Sequence, residues 1–281
     1  MADLALTNFN LKELIIGAIG SSEGLLAEIA KYSTIPEGLA VGTLTGNYMT
    51  DFDVTTATKG STSVVADAGN TTATTYTTVQ TYLPVEFYDY EISSISDRMF
   101  DNIIRKATSA VLKSAEGTLA DAFVAATITT NTATLVSPND NCADLSDAIP
   151  KLNGLVGQVS GYNGGKLPDW IALGVDAFGR VCGASNLTYG NISWVNKTPL
   201  FMGIPLFPIV PTTSSGMNGD GDPCGWVGCF DAVGFGWQAV TPGTALRRRD
   251  NGLYALDISI TYTYGLHEVA KLMGELINAT S

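Results

Sequence analysis

Residues 96–127 read SDRMFDNIIRKATSAVLKSAEGTLADAFVAAT. Apolar residues recur at helical spacing through Phe100, Ile103, Ile104, Ala107, Val111, Ala115, Leu119 and Phe123. Asp97, Arg98, Asp101, Arg105, Lys106, Lys113 and Glu116 fall mostly off that stripe. This pattern predicts an amphipathic helix laid on a sheet or on another subunit. Ser96 is the predicted N-cap, and Asp97 and Asp101 place negative charge near the first turn, where the helix dipole favours it. No proline interrupts the run, so at 1.5 Å per residue the helix would be roughly 45 Å long, more than a small domain needs. Its one glycine, Gly117, is the expected place for a bend.

The segments before it are unlike a globular core. Residues 1–36 contain LKELIIGAIGSSEGLLAEIAKYSTIP, two short helical pieces around Gly20-Ser21-Ser22 that end at Pro36. This is too short for a domain and reads as an arm packing on its own body or a neighbour. Residues 37–50 read as a loop and a strand start. Residues 51–79, DFDVTTATKGSTSVVADAGNTTATTYTTV, hold many threonines and almost no large apolar residue. They cannot bury a core of their own, yet Thr and Val favour extended structure. Tyr76–Ile92 is rich in aromatic and β-branched residues. Leu83, Val85 and Phe87 share one side before Asp89 and Glu91, whereas Glu86 precedes Tyr88, Tyr90 and Ile92 on the other. The apolar face changes sides near Phe87–Tyr88, as a bulge or twist allows. The two stretches predict a long two-stranded hairpin projecting from the body. An isolated hairpin is marginal in water, so partners on other subunits are expected. The plainer alternative is a surface loop.

Beyond the long helix, Ile128–Asp140 reads as a Thr/Asn-rich connection or short strand pair. Residues 141–159 read as a helix with Asp144 or Ser146 near its start and Pro150 in its first turn. Pro168–Gly174 reads as a buried strand, Asp176–Val181 as a short helix and residues 183–197 as a loop. Leu200–Pro211 reads as a strand kinked at Gly203-Ile204-Pro205, and residues 212–223 as a surface loop. Cys224–Trp237 reads as a buried strand and turn. Leu253–Tyr264 alternates Leu256, Ile258, Ile260 and Tyr262 on one face, a half-buried strand. A short helical tail follows from Glu268. No internal repeat is visible.

Composition narrows the function classes. With 45% hydrophobic residues among 281, a real core forms. Charged residues make up only 15%, against about 25% in ordinary domains, and Thr, Ser, Asn and Gly replace them. Such a surface suits packing against other protein. A net charge of −12 argues against a nucleic-acid reader with a basic face. No apolar run approaches the ~20 residues of a membrane span. MADLALTNFN lacks the basic start and apolar core of a secretory signal, so the five Asn-x-Ser/Thr sequons at Asn70, Asn186, Asn191, Asn196 and Asn278 read as by-products of composition. Cys142, Cys182, Cys224 and Cys229 are too few and scattered for a disulfide scaffold and are expected to be buried, reduced thiols.

The order of these parts resembles the major capsid protein of tailed bacteriophages, an α+β capsid fold shared with encapsulins and the herpesvirus capsid floor. Trp170-Ile171-Ala172-Leu173 with Asp176-Ala177-Phe178-Gly179-Arg180 looks like that family's strand and following helix. Leu200-Phe201-Met202-Gly203-Ile204-Pro205-Leu206 looks like its Gly-x-Pro strand. Val227-Gly228-Cys229-Phe230-Asp231 is similar to its late turn, with the glycine, aromatic and acidic residue spaced differently. The resemblance implies an N-terminal arm (1–36), the start of a peripheral domain (37–49), an extended β-hairpin loop (50–92), a peripheral domain with a long spine helix (93–140), an axial domain (141–243) and a return to the peripheral domain with a C-terminal tail (244–281). It further implies hexamers and pentamers closing into an icosahedral head around double-stranded DNA. The implied partners are other copies of the chain, a portal, separate scaffolding and decoration (cement) proteins, with no membrane and no cofactor. The implied location is the virion capsid, made in the host bacterial cytoplasm. Some members crosslink a loop lysine to a neighbour's asparagine, and Lys59 is the only lysine in the loop here.

The remaining motifs are weak. A lone histidine, His267, would have to carry any triad or multi-histidine metal site, and a structural or exposed role is expected. Cys224 and Cys229 have four residues between them, not the two of a zinc knuckle. Asn218-Gly219-Asp220-Gly221-Asp222 resembles a calcium loop, but Pro223 replaces the glycine and Cys229 the bidentate glutamate, which leaves a surface turn. Asp51-x-Asp53 is equally unsupported. Arg247-Arg248-Arg249 is the one basic run. It reads as a solvated turn, as a contact with packaged DNA or, in so acidic a chain, as a pairing with a neighbour's carboxylates. Lys59, Arg247, Arg248 and Arg249 are therefore the candidate assembly contacts. An encapsulin-type compartment and a small α/β enzyme with a Thr-rich lid are the alternatives.

Overall fold

The computed structural model describes residues 23–32, 43–49, 71–87, 97–183, 192–212, 217, 219–242, 247–248 and 254–281. In chain order these form α1 (Leu25–Tyr32), β1 (Thr43–Met49), β2 (Thr71–Phe87), α2 (Asp97–Ala125), β3 (Thr132–Pro138) and α3 (Leu145–Tyr162). There follow β4 (Trp170–Gly174), α4 (Val175–Cys182), β5 (Ile192–Val195), β6 (Thr198–Phe201), β7 (Ile204–Ile209) and β8 (Pro223–Gly228). A 3-10 turn at Phe230–Ala232 leads to β9 (Val233–Pro242), β10 (Arg247–Arg248), β11 (Tyr254–Leu266), α5 (Val269–Leu272) and β12 (Met273–Ala279).

The first sheet is antiparallel and is organised around β2. Residues 77–87 of β2 pair with residues 254–264 of β11, while residues 71–77 pair with β1. The strand thus changes partner at Thr77, and beyond it β1 and β2 continue as a two-stranded ribbon. This ribbon is the predicted hairpin, with its first arm starting at Thr43 rather than at residue 50. β-Branched threonines suit a pleated strand that buries little. Residues 50–70 and the predicted change of face at Phe87–Tyr88 lie outside what the structure describes. β9 and β10 share the other side of β11.

α2 has 29 residues, about 44 Å at the α-helical rise. The predicted stripe is buried at Ile104, Ala107, Val111, Ala115, Leu119 and Phe123. Thr108 and Ala120, both fully buried, widen it, as a helix packed on both β2 and β11 requires. Ser96 lies outside the described residues. Gly117 serves a close approach rather than a bend. A Cβ there would lie 2.7 Å from Thr212 Cγ2 and 3.2 Å from the Val210 carbonyl oxygen, so the glycine lets the chain leaving β7 cross the helix.

The second sheet runs β3–β12–β8–β4–β7–β6–β5, with β3 parallel to β12 and β4 parallel to β7. α3 covers it from Asp144, whose carboxylate accepts from the Ser146 amide. Four expectations are corrected here. Pro150 is the sixth residue of α3 rather than part of its first turn. The kink at Gly203 is a two-residue hairpin turn, with Met202 and Gly203 at φ of 53° and 85° joining β6 to β7. The predicted loop 183–197 contains β5. The predicted helical tail is one turn, α5, followed by the seven-residue strand β12. β12 lies inside the second sheet and is buried on both faces, so its apolar residues show no period-two alternation. β3, within the stretch read as a connection or short strand pair, pairs beside it as a parallel strand.

The core where helix and second sheet meet is aromatic. Phe123 of α2 stacks on Trp170 of β4 at 5.4 Å and 9°, and lies tilted at 5.8 Å from Trp226 of β8. Such ring pairs add about 1 kcal/mol each beyond the area they bury.

Candidate assembly surfaces

Of the candidate contacts, Arg247 and Arg248 fall among the described residues. Lys59 lies outside the described residues, between Met49 and Thr71 in sequence. Met49 and Thr71 form the last register pair of the β1–β2 ribbon. Arg247 and Arg248 form β10 and pair with Ala255 and Tyr254 of β11, whose partners on β2 are Glu86 and Phe87. Arg247, Ala255 and Glu86 therefore share one row across three strands. At about 3.3 Å per residue, Thr71 and Glu86 are roughly 50 Å apart. Arg249 lies outside the described residues.

Sheet edges present exposed apolar side chains that the sequence reading missed. β5 and β3 bound the second sheet, and each carries exposed apolar side chains: Trp194 (55%) and Val195 (52%) on β5, Val136 (73%) on β3. The available signal for β5 was the turn after it. Asn196 and Lys197 have φ of 48° and 70° and close a two-residue hairpin to β6, a turn type that favours asparagine.

A groove of about 620 Å³ lies between the start of α1, α2, α4 and the end of β7. Its polar wall is Glu23, Lys113 and Glu116. Burial pushes the Glu116 carboxyl above the usual carboxylate range, and hydrogen bonds from the Leu26 and Leu25 amides in the first turn of α1 oppose that shift. Glu116 thus caps α1 from another helix. The groove wall presents neither a cysteine nor a histidine.

The other chemistry-bearing residues are structural. His267 is buried, shares a 3.4 Å hydrogen bond with Tyr76 and meets its ring edge-on at 5.4 Å. Cys142, Cys224 and Cys229 are buried and Cys182 is half-buried, all as free thiols. Burial pushes Cys182 up to about 11 and Cys229 up to about 12, which disfavours the reactive thiolate. In the calcium-like loop, Asp222 accepts from the Gly219 amide at 2.9 Å and Asp220 from the Asn139 side-chain amide at 2.5 Å. Both carboxylates thus brace the turn. Among the described residues no three His, Cys, Asp or Glu side chains cluster as metal ligands, and no helix is long and apolar enough to cross a membrane.

No protein-family model matches the chain. No curated protein matches it either. Solved structures do. The chain is 12% identical to a protein of Gordonia phage Cozz, with a TM-score of 0.60 over 92% of this chain and 87% of that one. It matches a chain of the asymmetric unit of the bacteriophage PhiM1 mature capsid at 12% identity and a TM-score of 0.54, over 84% and 82% of the two chains. It matches the capsid structure of the cyanophage P-SCSP1u at 12% identity and a TM-score of 0.55, over 89% and 87%. At such identities the likeness is one of architecture, and it extends over nearly the whole of each chain. The protein has the α+β fold of phage capsid proteins.

Proposed function

We propose that this chain is the major capsid protein of a tailed phage, a structural subunit and not an enzyme. The observation that carries the reading is the end-to-end match of its fold to chains of assembled capsids. The projecting ribbon supports it. Six β1–β2 pairs run past the last β11 partner, and a two-stranded ribbon is stable when a third surface covers it.

In this reading copies form hexamers and pentamers that close into an icosahedral head around double-stranded DNA. The hairpin at 50–92 laps over a neighbour, with Lys59 at its tip. Arg247, Arg248 and Arg249 pair with carboxylates of an adjoining subunit. The first sheet and α2 make the rigid plate of the shell, and the second sheet packs around each capsomer axis. Portal, scaffolding and decoration proteins are the further partners, and the virion is the final location, after synthesis in the host cytoplasm. Electron microscopy and size-exclusion chromatography of the purified chain test this. Closed shells or capsomer rings support it, and nucleic acid inside separates a phage head from an encapsulin-type compartment holding protein cargo. A stable monomer, even with phage-encoded helpers present, refutes it.

A further inference from the structure

The direction in which the hairpin leaves the body is fixed at its root, where β2 exchanges β11 for β1. Thr77 is the one β2 residue in register with both, opposite Tyr264 on one side and Thr43 on the other. Its two neighbours, Tyr76 and Thr78, point to the opposite face from Thr77, and both are buried there. Thr78 Oγ1 and Thr263 Oγ1 share a 2.8 Å hydrogen bond. The Tyr76 ring lies over a cross-strand pair of glycines, Gly265 of β11 and Gly234 of β9. A Cβ on Gly265 would come within 2.9 Å of Tyr76 Cδ1, and one on Gly234 within 3.0 Å of Tyr76 Cε1 and 2.7 Å of His267 Nε2. The far end of the ring meets His267, which is itself tied to the 3-10 turn by its amide donating to the Ala232 carbonyl at 2.8 Å.

Threonine pairs and bare glycines are unusual filling for a buried sheet face. A two-stranded ribbon alone twists freely, and this arrangement removes that freedom at one point. We propose that Tyr76, seated on Gly234 and Gly265 and held by His267, with Thr78–Thr263 beside it, is a clamp that sets the angle of the hairpin to the body. The clamp thereby determines where the hairpin meets the next copy of the chain. Tyr76 and His267 are positioning residues that act through β2. The role in assembly rests on the capsid reading; the clamp itself does not.

Hydrogen exchange on the unassembled full chain tests the clamp, and microscopy of assembled material tests its consequence. Tyr76→Leu is expected to speed amide exchange across residues 71–75 about tenfold while residues 79–86 keep their wild-type rate, and to replace shells of one diameter by mixed diameters or open sheets. Tyr76→Phe, which keeps the ring on the glycines and loses only the hydroxyl, is expected to give a smaller rise, about threefold, in the same segment and protects the test against a Leu variant that does not fold. Unchanged exchange at 71–75 in both variants, or an equal rise over 71–86, overturns the clamp. A confined rise with shells of unaltered diameter overturns its role in assembly. A wild-type chain that forms no shell even with phage-encoded helpers, while the Tyr76 variants show the confined rise, refutes the capsid reading and leaves the clamp standing.

Discussion

Gly228 has no side chain because Trp170 occupies the space. The two residues are register partners on β8 and β4, and a Cβ on Gly228 would lie 2.2 Å from Cζ2 of the indole. Trp170 is fully buried and stacked on Phe123, so it has no room to withdraw. Gly228→Ala is expected to destabilise the subunit by about 3 kcal/mol, at the upper end for overpacking. Gly154 and Gly157, exposed on α3 with nothing near their missing Cβ, are the controls. Alanine at either should stabilise by about 0.5–1 kcal/mol, the usual helix-interior difference. Denaturant unfolding of the unassembled chain separates the two signs.

Glu275 is expected to make the stability of the second sheet depend on pH. It lies on β12, opposite Trp226, with little solvent access. Burial pushes its carboxyl up to about 7. The Trp226 indole N–H pulls weakly the other way from outside hydrogen-bond geometry. A carboxyl whose folded pKa exceeds its unfolded value binds its proton more tightly in the folded state. Stability is therefore expected to fall as pH rises from about 4.5 to about 7, by up to about 3 kcal/mol, and to level off above. Glu275→Gln should remove this part of the slope and give the more stable protein at pH 8. Thermal melts of both proteins between pH 5 and 8 check it, and parallel curves would refute the assignment.

What the sequence made legible was local and periodic. The stripe from Ile104 to Phe123 was readable because each position repeats the helical period on one buried face. The ribbon was readable because threonines without large apolar residues fit an extended chain and little else. β12 was not, since burial of both faces erases alternation and leaves a short apolar run that suits helix or strand equally. Gly117 and Gly228 were opaque for another reason. What crosses a glycine is decided by residues 93 positions away in one case (Val210) and 58 in the other (Trp170). The contact of Tyr76 with His267 spans 191 residues, so a lone histidine in sequence gave no hint of its partner.

Charge reversal at the basic run should affect association and spare folding. Arg247 and Arg248 form a two-residue strand at the flank of β11, and the chain carries 27 acidic residues against 15 basic ones. Neighbouring copies therefore offer carboxylates in excess. Arg247→Glu with Arg248→Glu is expected to leave the unfolding free energy within about 0.5 kcal/mol and to slow assembly about tenfold by light scattering. Wild-type assembly should slow between about 0.05 and 0.5 M salt, because the Debye length shrinks from about 14 to about 4 Å, while the variant shows a weaker dependence. Equal assembly rates would remove these arginines from the interface.

Asn131 holds the crossover between the two sheets. β11 ends in the first sheet, β12 begins in the second, and the single turn of α5 joins them. The Asn131 side-chain amide donates to the carbonyls of Ala270 at 3.1 Å, Lys271 at 3.3 Å and Met273 at 3.1 Å, sharing two hydrogens among three acceptors. The Asn131 backbone carbonyl accepts from the Glu275 amide at 2.8 Å, and Thr130 donates to the Ala270 carbonyl from beside it. A four-residue helix leaves its last carbonyls without intrahelical partners, and this fully buried side chain supplies them. Asn131→Ala would strand those carbonyls away from water and is expected to cost about 2–4 kcal/mol. Asn131→Asp keeps the shape but turns a carboxylate on three carbonyl oxygens. Its cost should be larger at pH 8 than at pH 4, where a protonated acid still donates one hydrogen. A pH-independent loss for the aspartate variant would show that shape, and not donation, is what Asn131 contributes.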